Sequence, residues 1–503
     1  MRVVPLLVVV TLAACAPGAD GAGHGGTSSS SGAATGSSSS SSSSSSGSAV
    51  APPQLPALLH TTVAQDVNPD PQVVEVDLVA SVVEHAFADG RLTQAYAYNG
   101  LIPGPTLQLQ RGQRLLVHFT NQLPEPTTIH WHGLRIPDTM DGTPMTQTPV
   151  PPGGSFTYDF TPPDAGNFWY HPHYNTPQQM ERGLMGAVVV HEDPAVAFDA
   201  ERIIFTDDVR LEADGSLAPF QQSGMDVMHG RGGNVLLLNG AEAPRAPVTV
   251  TRGTQERWRV FNGANARTMS LSVAGATFAV FGTDGGPLPR PRVRARLSVA
   301  AGERYDVLVY FDGAPGSTAA LLSHVLVLDG NGNVVEEERV LQEFQVATAP
   351  DAPLRDIVLP SSAEVTLPPE GPPDRTLVIS GYNDGTVHFT INGRSFPDEE
   401  AWETTQGTTA QVRIDNQLGM EHPFHFHGQF FRVLAPAARV RSDPGVKDTV
   451  LVAGGETVTV LVDFSNPGHW MYHCHILEHA EAGMGAHVTV HPDGSGHAPG
   501  TGH

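Results

Sequence analysis

The chain has 503 residues, enough for about three domains of ordinary size. Its 53 Gly and 42 Pro, beside a modest aromatic content, favour many short strands and turns over long helices. A formal net charge of -24 argues against nucleic acid as a partner and for an acidic, water-exposed surface.

The first residues, MRVVPLLVVVTLAACAPG, place one Arg before a short apolar run and small residues before Cys15. That run is too short to span a membrane and predicts a secretory signal over 1–15. Leu12-Ala13-Ala14-Cys15 is similar to a bacterial lipobox, whose Cys is lipidated and becomes the mature N-terminus. The expected location is the cell envelope, on its periplasmic or extracellular face, with a lipid anchor as the only membrane contact. Gly/Ser-rich sequence over 16–60 predicts a flexible tether. Cys15 and Cys474 are the only cysteines. With one lipidated or removed and the other binding metal, no disulfide is expected.

An internal repeat follows. RGQRLLVHFTN (111–121), RGTQERWRVFN (252–262) and QGTTAQVRIDN (406–416) each read as a turn leading into an alternating strand that ends in Asn. TIHWHG (128–133) follows the first copy and PFHFHG (423–428) the third. Further on, GNFWYHPH (166–173) matches GHWMYHCH (468–475), with Pro172 where Cys474 sits. The second copy continues as RTMSLSVAG (267–275), without His. The chain is thus predicted all-β, in three related β-sandwich units over 61–195, 196–350 and 351–492, with a disordered tail over 493–503. The outer two units keep candidate metal ligands and the middle one has none.

Of 23 His, ten fall into four tight groups: His130/His132, His171/His173, His422/His425/His427 and His473/His475/His479. On a strand, an i, i+2 pair shares one face, so four such pairs bring eight imidazoles to the same kind of surface. Eight are enough for three coppers that keep open positions for a small ligand such as O2. In His473-Cys474-His475 the two imidazoles point one way and the thiol the other, so one tripeptide serves two centres. Cys474, His479 and the weak thioether of Met484 need one more His to make the His2Cys set that suits an electron-transfer copper. Zinc sites with thiolates usually draw on several Cys, and here only one is available.

HWHG, HPH, HPFHFHG and HCHILEHAEAGM together resemble the four copper motifs of the multicopper oxidases, a family of three cupredoxin domains, over about residues 70–492. The resemblance implies four coppers. His422, Cys474 and His479, with Met484 axial, would be the type 1 ligands, and His130 and His425 the type 2 ligands. One type 3 copper would take His132, His171 and His475, and the other His173, His427 and His473. It further implies that single electrons from a reductant pass through Cys474 to His473 and His475, and that O2 is reduced to water. Asp141 matches an acid that the family places near its type 2 water channel, which makes it a candidate for proton transfer. Many bacterial members carry an acid directly after the type 1 His. This chain has Ala480 there, so Glu478 and Glu481 on either side become further candidates for proton transfer. The expected donors are phenols and aromatic amines, as for laccases, in a monomer. Met225, Met228 and Met420 keep Cu(I) oxidation open as an alternative, and a copper-binding envelope protein without enzyme activity is the other.

Overall fold

The computed structural model describes residues 55–493, apart from 56, 89, 193, 195, 221–223, 329–332, 349, 353–356, 364–366 and 436–444. The predicted signal, Cys15, nearly all of the predicted tether and the tail after Asp493 lie outside the described residues. Leu58–Leu59, at the end of the stretch expected to be tether, pair in parallel with Ala200–Val209 instead. Two successive leucines beside a strand with free hydrogen-bonding groups add to its sheet. No helix among the described residues is long and apolar enough to cross a membrane.

Three cupredoxin-like Greek-key sandwiches follow one another. In the first, a sheet ordered 93–98, 73–85, 114–121, 155–160 faces one ordered 104–110, 186–191, 166–171, 130–132. In the third, 387–391, 375–383, 408–416, 457–464, 430–435 faces 402–405, 485–491, 468–474, 422–426, 449–452. The orders correspond strand for strand, with one strand added at an edge of each sheet in the third. The internal repeat is therefore a repeat of topology. The middle sandwich is built from an eight-stranded and a five-stranded sheet.

The Asn closing each repeat has a physical role. Asn121, Asn262 and Asn416 are all buried. Each side chain accepts a bond from the backbone N–H two residues on (Leu123, Ala264, Leu418). Each also donates to backbone carbonyls: Asn121 to Glu125 and Val150, Asn262 to Arg267 and Val299, Asn416 to Met420, Val452 and Ala453. One amide thus pins the turn that starts the next strand, which in the outer sandwiches is the HxH strand.

Alternating strands leave an apolar layer inside each sandwich, with Trp131, Trp258 and Trp470 among the fully buried side chains. Among the described residues, three short α-helices interrupt the strands: α1 (Thr176–Glu181), α2 (Gly224–His229) and α3 (Leu477–Glu481). Each lies beside the histidine groups or their strands: α3 packs against both α1 and α2.

Candidate metal centre

Strand pairing explains the histidine spacing. His130 lies opposite His171, and His425 opposite His473. Phe424 lies opposite Cys474. With side chains alternating, His422 shares the face of Phe424 and Cys474, whereas His425 shares that of His473. The odd spacing of three from His422 to His425 therefore sends them to opposite faces, and the same strand feeds two sites.

On one face, Cys474 Sγ is 3.8 Å from His479 Nδ1, and the His422 and His479 rings are 5.1 Å apart between centroids. The backbone of Met484 bonds both His479 and Cys474, closing the loop after α3 onto this group. Cys474 and Met484 are buried. Burial pushes the Cys474 thiol well up, so as a lone thiol it would stay protonated and inert.

On the other face, eight imidazoles from the first and third sandwiches converge. His130 stacks on His427 with centroids 3.9 Å apart, and His132 on His425 at 3.8 Å. The nearest ring nitrogens of His173, His427 and His473 lie within 4.8 Å of one another, and so do those of His130, His132 and His171 and those of His130, His425 and His427. His475 sits 5.0 Å from His132 and 5.6 Å from His171 between centroids. Burial lowers the proton affinity of His132, His171, His173, His425, His427, His473 and His475, and neighbouring imidazoles lower it further. For His473 the value falls to about 3, and for His422, from burial alone, to about 4. These rings are neutral near pH 7, the state that binds a metal.

Backbone and side-chain partners fix which nitrogen remains free. His130 Nδ1 is 2.9 Å from the Asp141 carbonyl, and His171 Nδ1 is 2.9 Å from that of Pro172. That leaves His130 Nε2 and His171 Nε2 buried without a partner, together with His132 Nδ1, His425 Nε2 and both nitrogens of His422 and of His475. A buried polar atom without a partner costs about 1–3 kcal/mol. So many gathered on the two faces fit bound cations, and nitrogen with a single thiolate and a thioether on one of them fits copper.

The acids are divided. Asp141 touches the cluster: Oδ2 accepts from His427 Nδ1 at 3.0 Å, and Oδ1 lies 3.2 Å from His130 Nδ1. Glu478 and Glu481 instead line a cavity of about 610 Å³ on the outer side of α3, with Phe220, Asp226, Arg231 and Phe396. Burial raises both of their carboxyls. Neither has a hydrogen bond to a cluster imidazole among the described residues. Sequence reasoning missed Asp448, which is fully buried with Oδ1 3.2 Å from His132 Nε2. Burial would raise its carboxyl, but Arg304, which donates to both oxygens, holds it well below the usual range. Asp448 stands alone in its segment with no spacing that marks it, and only the packing of three sandwiches brings it to the histidines.

Models of the multicopper oxidase family match residues 80–195, 209–332 and 367–494. The chain is 30% identical to the multicopper oxidase MmcO of Mycobacterium tuberculosis, over 78% of this chain and 83% of that protein. A solved laccase from Pediococcus acidilactici superposes with a TM-score of 0.73 at 29% identity, covering 87% of this chain and 94% of that one. A solved multicopper oxidase from Campylobacter jejuni, described as a metallo-oxidase, gives 0.73 at 26% identity, covering 87% and 96%. With its four histidine motifs converging on two buried faces around Cys474, the chain belongs to the multicopper oxidase family, copper-dependent oxidoreductases that use O2.

Proposed function

We propose that the chain holds four coppers and oxidises small phenolic or aromatic-amine donors as laccases do. His422, Cys474, His479 and Met484 would hold the type 1 copper, and His130 and His425 the type 2. His132, His171 and His475, and His173, His427 and His473, would hold the type 3 pair. Bound copper supplies the one-electron oxidation of the donor and the four-electron reduction of O2 to water. The observation that carries this reading is the two-faced strand Gly468–Cys474: Cys474 is joined to His473 and His475 by single peptide bonds, the shortest covalent link between the two faces. Burial that lowers the proton affinity of His132, His171, His173, His425, His427, His473 and His475 keeps those rings neutral, and Asp141 Oδ1, buried and without a hydrogen-bond partner, is the atom at which a proton in transit can be held. The cavity beside α3 is where the donor would dock.

One observation favours Cu(I) as a second donor. Met225 and Met228 are 64% and 40% exposed on α2, and the backbone of Met228 lies against His479. Soft thioethers beside the electron entry point suit a soft cation. The test is O2 uptake by the copper-loaded protein with a phenol and with Cu(I) in parallel. Faster turnover with the phenol, unchanged in Met225→Leu/Met228→Leu, is the expected result. Faster turnover with Cu(I), lost in that double variant, moves the assignment to metal oxidation.

For location, we infer export and lipid attachment at Cys15, as a monomer held by its Gly/Ser-rich tether; the lipobox-like Leu12-Ala13-Ala14-Cys15 supports it. Fatty-acid labelling of the full chain in a bacterial host should disappear in Cys15→Ala, and an unlabelled wild type rules the anchor out.

A further inference from the structure

The middle sandwich supplies no imidazole, yet it presses on the cluster. Its turn at Gly302 leaves no room for a side chain: a Cβ there would stand 2.9 Å from His475 Cδ2 and 3.2 Å from His132 Cε1. Two residues on, Arg304 enters the junction of all three sandwiches, fully buried. Its Nη1 and Nη2 donate to Asp448 Oδ1 and Oδ2 of the third sandwich at 2.7 and 2.6 Å. Its Nε donates to the Asn167 carbonyl of the first at 3.0 Å, and Asp284 accepts from its backbone N–H at 2.8 Å. A Cβ on Gly133, the last residue of HWHG, would stand 2.3 Å from Arg304 Nη2 and 2.6 Å from Asp448 Oδ2. The Gly of that motif is therefore the space into which this ion pair fits.

We propose that Arg304 is a positioning residue for the imidazole cluster, acting through Asp448 to set which nitrogen of His132 and of His425 is free. A guanidinium only donates, so with Arg304 on both oxygens Asp448 is kept as an acceptor. His132 Nε2, 3.2 Å from Oδ1, must then carry the hydrogen, which leaves Nδ1 as the lone pair. His425 Nδ1 donates to the Asp448 backbone carbonyl at 2.9 Å and lies 3.4 Å from the same carboxylate oxygen, Oδ1, leaving Nε2. These assignments follow from the partners, and His132 Nδ1 and His425 Nε2 are the two nitrogens found buried without one. Two rings stacked within 11° of parallel thus present opposite nitrogens. A buried ion pair seldom repays its desolvation in stability, so its place here is better explained by orientation. Partners one step behind a ligand set its tautomer and its ring angle.

The inference rests on the proposed copper assignment of His132 and His425, and the test separates the two. Arg304→Lys keeps the charge but loses the planar fork. Asp448→Asn keeps the shape but can donate as well as accept. Each variant is loaded with copper. The readouts are copper per chain, the type 2 electron paramagnetic resonance spectrum, and the rate of copper loss to a chelator. The visible band of the Cys474 site and the melting of the metal-free protein report the fold. Arg304→Lys should lose cluster copper about 10–100-fold faster with an altered type 2 spectrum, while the Cys474 band is kept. Wild-type spectrum and loss rate in Arg304→Lys overturn the inference. If Arg304→Lys does not fold, Asp448→Asn decides on the same readouts, and a wild-type spectrum there overturns it equally. A wild-type chain that takes copper only at Cys474 overturns the copper assignment and this inference with it.

Discussion

Cys474→Ser is expected to bring O2 uptake, with any donor, down to background while the chain still folds and the imidazole face still takes up copper. The thiol is fully buried, and its Sγ accepts from the Ile476 N–H at 3.3 Å. Serine keeps that acceptor and nearly the same volume, at a cost of about 1–3 kcal/mol for a buried hydroxyl. What it removes is the one soft anionic donor on its face of the strand and, with it, the entry of electrons. The eight imidazoles lie on the opposite face and keep every partner described above. Measuring copper per chain beside O2 uptake checks both halves. A serine variant that turns over near the wild-type rate would mean that electrons enter elsewhere.

Asp141→Asn carries the second large effect. Its Oδ2 accepts from His427 Nδ1, a role an amide oxygen can keep, but an amide does not take and release a proton. Turnover should fall about 10²–10⁴-fold, the usual weight of general acid–base catalysis, with copper content retained. Asp141→Glu should recover part of the loss. If Asp141 only orients His427, Asp141→Asn will run at close to the wild-type rate, and the proton must arrive by another route. Glu478 and Glu481 are poorly placed to supply it, since both face the cavity outside α3.

How far the sequence shows this site depends on whether a residue's role is written in local spacing. The HxH pairs and His473-Cys474-His475 were legible because a strand has period two, and the same rule separates His422 from His425. The closing Asn of each repeat marked where strands end, although its role in pinning the next turn appears only in three dimensions. The strand at Leu58–Leu59 was masked by the Gly/Ser-rich sequence before it. Nothing nearby marks Asp448 or Arg304, which meet across 144 positions of sequence. The loop of Glu478 and Glu481 is adjacent to His479, but adjacency in sequence does not say which wall of α3 a carboxylate faces.

The division of the imidazoles between the outer sandwiches also governs how the protein is made. Asp141 and His427 touch across 286 residues, and His132 and Asp448 across 316. A growing chain that has completed its first sandwich, and even its second, owns four of the eight rings and no thiolate to feed them. Contacts of such long sequence separation close late, after the loops between them have lost their freedom. Capture of metal at the cluster is thus an event of the finished chain, and a chain cut short before its last strands has nowhere to carry out oxygen chemistry.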